Sequence, residues 1–98
     1  MGNRYRLLAR LLTGNRSHSG ATSQRLRFTA SRPKDEEHIT EIPVGNDGFD
    51  GIIVALMAGS NPESAIRAIQ ALKLGREVDL GMYGADDLTD LEFDSLPQ

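Results

Sequence analysis

The sequence predicts a small α+β domain in which a strand hairpin packs on a helical hairpin. A basic N-terminal arm and an acidic C-terminal tail flank it. Three observations carry this. "RLRFTAS" (25–31) alternates apolar and polar residues with the period of a half-buried strand. "SNPESAIRAIQALKLG" (60–75) contains helix start and stop signals at the right spacing. Charge is also segregated along the chain. Residues 1–34 hold eight arginines or lysines and no carboxylate, whereas residues 35–98 hold fourteen acids against Arg67, Lys73 and Arg76. The net charge of −3 therefore conceals a first third at +8 and a remainder at −11.

The elements follow in order. Over residues 3–13 a helical wheel places Tyr5, Leu7, Leu8, Leu11 and Leu12 on one arc, with Arg6 and Arg10 opposite, which predicts a short helix stopped at Gly14. The small polar residues 14–23 read as a linker, so that 1–23 forms an arm outside the core. The domain itself is expected over 24–82. In its first strand Leu26, Phe28 and Ala30 share one face and Arg25, Arg27 and Thr29 the other. "HITEIPV" (38–44) is a second strand, with Pro43 marking an edge, and six residues between the two suit a hairpin loop.

"GNDGFDG" (45–51) is a turn segment, and Asp50 is expected to cap a helix that ends near Gly59. In the next helix Ser60 or Asn61 caps, Pro62 takes the first position and Gly75 stops. Its buried arc is expected to be Ala65, Ile66, Ala68, Ile69 and Leu72, with Glu63, Ser64, Arg67, Gln70 and Ala71 facing away. "EVDLGM" (77–82) predicts a short strand. The segment 83–98 reads as an acidic tail: a last helix capped by Asp86 or Asp87 and carrying Leu88, Leu91 and Phe93.

Composition bounds the function. Ninety-eight residues make at most one small domain, with a core built on aliphatic side chains because aromatics are few and tryptophan is absent. There is no cysteine, which excludes disulfides and thiolate metal sites and suits an intracellular, reducing compartment. The longest apolar run, Ile52 to Ala58, is far too short for a membrane span, and no secretory signal is expected. His18 and His38 stand in separate polar contexts, and no serine sits in a nucleophile elbow, so neither an enzyme nor a cofactor or metal site is expected.

Three motifs fail on inspection. A GxxG loop at 45–48 would present Asn46 and Asp47 to a phosphate backbone, which Asp47 repels. Aligned on Asp50-Gly51, a calcium loop would have Met57 where glutamate is required. Met1-Gly2 lacks the Ser or Thr at position 6 that a myristoylation signal needs.

What remains is charge. Arginines interspersed with small polar residues suit a phosphate backbone, so the basic segment is expected to bind nucleic acid or another anionic partner through Arg4, Arg6, Arg10, Arg16, Arg25 and Arg27. The acidic tail is expected to dock on a protein partner, or on a neighbouring copy as a homo-oligomer, through Asp86, Asp87, Leu88, Leu91 and Phe93. The expected role is a non-enzymatic interaction or assembly protein.

Two alternatives stand beside it. The two predicted helices joined by "AGSN" could form a helix-turn-helix presenting Ser64, Arg67 and Gln70 to base edges, in a DNA-binding regulator. The basic segment also resembles a mitochondrial presequence in composition, which implies a targeting segment on a small subunit of a larger assembly, cleaved near Phe28 to Ser31.

Overall fold

A computed structural model describes residues 4–16, 22–34, 37–45, 48–91 and 93. Its elements are β1 (Arg4–Arg16), β2 (Thr22–Ser31), β3 (His38–Pro43), α1 (Asp50–Leu56), α2 (Pro62–Lys73), β4 (Val78–Gly84) and a closing 3₁₀ helix (Asp86–Leu91). The four strands make one antiparallel sheet in the order β3-β2-β1-β4. The architecture is α+β, with a four-stranded sheet in place of the expected two-stranded hairpin.

The principal correction concerns residues 3–13. They are a strand, and β1 lies between β2 and β4 rather than outside the core. The leucine doublets fit both periods. Read with period two, Tyr5, Leu7, Ala9 and Leu11 fall on one face, and the first three are buried. Arg4, Arg6 and Arg10 fall on the other, where Leu8 and Leu12 obscure the alternation. A short isolated helix is marginal in water, whereas a strand paired on both sides satisfies its backbone at once. Residues 14–16 extend β1 and 22–23 open β2, so half of the expected linker is sheet; 17–21 lie outside the described residues.

The inner face of the sheet carries the core. Tyr5, Leu7, Ala9, Leu26, Phe28 and Ala30 form one buried cluster with Ile53 of α1, Ala65, Ala68 and Leu72 of α2, Leu80 of β4, and Leu88 and Leu91 of the 3₁₀ helix. Burying a Leu, Ile or Phe side chain contributes about 1.5–3 kcal/mol each. The helices therefore cover one side of the sheet only. Asn61 caps α2 by accepting from the Glu63 amide at 2.9 Å, with Pro62 in the first turn, as its sequence predicts. Ile66 departs from its expected place in the buried arc and is 54% exposed. Asp50 opens α1 without capping it, since no side chain caps that helix.

Two local features shape the edge next to β1. The register of β4 shifts between the Leu7↔Gly81 and Leu8↔Asp79 pairs, and the extra residue, Leu80, is buried. Gly81 sits at φ 102°, a backbone conformation that side-chain-bearing residues rarely adopt, so the bulge requires glycine there.

The acidic tail is also revised. Tyr83 and Gly84 finish β4, and residues 86–91 turn back over the core. Leu88 is fully buried and Leu91 nearly so, because a small core gains more by covering its own edge than by leaving two leucines in water. In this arrangement both side chains pack on the protein's own core. Phe93 packs half-buried against the same cluster, and residues 94–98 lie outside the described residues.

Candidate anion-binding sheet face

The side of the sheet away from the helices is built from residues with the opposite parity. The pairing registers arrange them in rows across the strands. Leu12, Arg25 and Pro43 form one row, and Arg10, Arg27 and Glu41 the next. Asp79, Leu8, Thr29 and Ile39 follow, then Met82, Arg6 and Ser31, and finally Gly84 with Arg4. Five of the six arginines singled out from the sequence thus share one face. Arg16 lies on β1 beyond a register shift, and its side chain is outside the described residues.

The arginines come from two distant stretches of sequence and are brought together by the β1–β2 pairing. Along β1, Arg4 and Arg10 are six residues apart, about 20 Å at the usual rise of a strand. Across the strands, Arg10 and Arg27 are direct Cα partners. Like charges directly opposite are destabilising, so the fold holds this pair against a repulsion.

Two carboxylates lie on the same face, and the sequence reading missed both. Glu41 accepts from the Arg27 guanidinium at 3.4 Å and stands at the same distance from that of Arg25. Asp79 pairs with Arg6 and also accepts from the Gly81 amide at 2.8 Å. These pairs are between a quarter and three-fifths exposed, so each contributes little to stability. Only the register of β2 with β3, and of β1 with β4, could have revealed them; neither can be read from one sequence without knowing the pairing.

Among the described residues, no ion pair reaches Arg4 or Arg10, and both are exposed. The face carries five arginines against two carboxylates, a net of three positive charges.

Other acids lie on the helices, with cations beside them. Asp50 of α1 lies 3.9 Å from Lys73, Glu63 of α2 lies 3.9 Å from Arg67, and the exposed Asp86 and Asp87 belong to the 3₁₀ helix. Asp86 and Asp87, expected to meet a partner, are exposed, and Asp87 stands beside Gly84, the direct strand partner of Arg4. Asp87 accepts from the Gly84 amide at 3.2 Å.

A groove lies on the helical side, between α1 and the 3₁₀ helix. It measures about 740 Å³ and is lined by Ile52, Ala55, Leu56, Tyr83, Asp87 and Leu91 among others. The Tyr83 hydroxyl bridges it by donating to the Leu56 carbonyl at 3.0 Å. Burial, and then the nearby Asp87 carboxylate, raise the Tyr83 phenol above its ordinary value. Among the described residues no group of three or more potential metal ligands exists, and no helix is long and apolar enough to cross a membrane.

Compared with protein-family models, curated proteins and solved structures, the chain finds no match.

Proposed function

We propose that this is a non-enzymatic protein that binds nucleic acid through the outer face of its sheet. The observation that carries this reading is the array of Arg4, Arg6, Arg10, Arg25 and Arg27 on one solvent-facing surface, with Arg10 and Arg27 opposed. A protein that only had to fold would gain by replacing one of that pair with threonine or glutamate. A polyanion laid on the face relieves the repulsion and releases its own counterions, which makes binding favourable and salt-dependent. Arginine suits the task, since its planar fork meets phosphate oxygens with two parallel hydrogen bonds.

Fluorescence anisotropy with labelled DNA and RNA oligonucleotides tests this. Binding is expected at roughly 50 mM salt and is lost as salt rises. The double variant Arg10→Gln/Arg27→Gln should bind more weakly at unchanged fold, monitored by circular dichroism. Full affinity in that variant, or no binding by the native chain at low salt, would overturn the reading.

A second reading has its own support. The arginines of the sheet face are complementary to the exposed Asp50, Glu63 and Asp86 of the helices, so copies of the chain can associate through unlike surfaces. A contact of that heterologous kind closes a ring or extends a filament. Light scattering separates the two: self-association predicts a mass that falls on adding salt, in the absence of nucleic acid.

The helix-turn-helix alternative rests on Ser64, Arg67 and Gln70, which are exposed on α2 beside the Glu63–Arg67 pair. It predicts that Arg67→Ala and Gln70→Ala change sequence preference, whereas sheet-face binding leaves both variants unaffected. In the targeting alternative, cleavage near Phe28 to Ser31 would remove β1 and most of β2, two of the four strands that carry the core.

A further inference from the structure

We infer that the nucleic acid this face takes is double-stranded, gripped by its phosphate backbones without regard to base sequence or sugar. The inference rests on the nucleic-acid reading above and narrows it.

The first support is the placement of the aromatic residues. Proteins that bind single strands without sequence preference stack bases on aromatic side chains, gaining about 1–3 kcal/mol per base. This chain has five aromatics and puts none on the outer face. Tyr5 and Phe28 are fully buried on the inner face, and Phe49 is buried. Tyr83 pairs with Tyr5 and bonds to the Leu56 carbonyl, while Phe93 packs on the core. A single strand laid on the arginines finds charge and no aromatic stacking platform.

The second is rigidity. The arginines hang from paired strands, so their spacing is fixed by the sheet. A duplex is stiff over about 50 nm and arrives with its phosphates ordered. A single strand has to be ordered at binding, and that cost reduces affinity.

The third is width. Four strands at about 4.8 Å spacing put the outer strand axes about 14 Å apart, before side chains are counted. The major groove of B-form DNA is about 12 Å wide. The whole face cannot enter it, and lies across the groove on the flanking backbones. The rest of the face has little that could read a base or a ribose hydroxyl. Leu8, Leu12, Ile39 and Met82 are apolar, Thr29 is buried, and Ser31 is the remaining hydroxyl among the described residues of these rows.

The test is anisotropy of the full chain with labelled duplexes of about 20 base pairs, in DNA and in RNA and in two unrelated sequences, beside each separated strand, from roughly 50 to 200 mM salt. The duplexes should agree within about threefold, since no base-edge discrimination operates, and single strands should bind about tenfold more weakly. With three net charges engaged, the log–log salt slope should be about −2.7, an affinity loss of about 40-fold over that range. Single strands bound as tightly as duplexes would overturn the double-strand inference and leave the nucleic-acid reading standing. A preference above about tenfold between duplex sequences, or between DNA and RNA, would overturn the backbone-only grip. No binding of any oligonucleotide at the lowest salt would overturn both readings together.

Discussion

Arg10 and Arg27 face each other directly across β1 and β2, and among the described residues a carboxylate pairs with Arg27 and none with Arg10. Replacing Arg10 with threonine removes the repulsion and puts a good strand former in its place. Arg10→Thr should therefore stabilise the fold by about 0.5 kcal/mol in urea denaturation. It should also weaken polyanion binding and make the salt slope shallower by about 0.9. A variant that loses stability while binding as before would show that the pair serves the fold.

Glu41 is a built-in competitor for phosphate. It lies 3.4 Å from both Arg25 and Arg27 and holds two of the five cations. Glu41→Gln keeps the side chain's shape and removes its charge. Oligonucleotide affinity should rise several-fold at low salt, and the slope should steepen to about −3.6 as four net charges come into play. Stability should fall by no more than about 1 kcal/mol, since the pairs are partly exposed. Unchanged affinity would mean that Arg25 and Arg27 lie outside the binding face.

The sequence made some of this legible and left some hidden, for physical reasons. The β2–β3 hairpin and α2 were readable because single features dominate them: strict alternation at Leu26, Phe28 and Ala30, and the Asn61-Pro62 start. β1 was misread because its leucine doublets satisfy both helical and strand periods, and only partners on both sides decide between them. The sequence suggests the arginines as a set, with Arg4, Arg6, Arg10 and Arg16 on an arm outside the core and Arg25 and Arg27 on a strand. Their convergence on one face depends on register, which is a property of two strands at once. Leu88 and Leu91 looked like an amphipathic ligand because a covering segment and a docking segment share one pattern; a core too small to close without them made them its own.

Leu88 gives that last point a measurable form. It is fully buried beneath the 3₁₀ helix and belongs to the cluster shared by the sheet and both helices. Leu88→Ala should destabilise the protein by about 2–5 kcal/mol, enough to unfold much of a small domain. Asp86→Asn, at an exposed site on the same element, should change stability by less than about 0.5 kcal/mol. If Leu88→Ala left the urea midpoint unchanged, the segment would be dispensable to the fold and the docking role of the tail would return.

Tyr83 links the helical side to alkaline pH. Burial first, and the Asp87 carboxylate second, raise its phenol above the ordinary value of about 10. The folded protein thus holds the phenolic proton more tightly than the unfolded chain does. The stabilisation is complete below about pH 10 and is lost as pH rises through the folded value. Tyr83→Phe keeps the ring and removes the bond to the Leu56 carbonyl at 3.0 Å. It should cost about 1 kcal/mol at neutral pH, from that lost bond. The gap between the native chain and the variant should then close on the alkaline side. Urea midpoints of the two proteins across the alkaline range, with the phenol followed by ultraviolet absorbance, check this. A gap that stays constant through the phenol's titration would separate the hydrogen bond from the proton, and the linkage would fail.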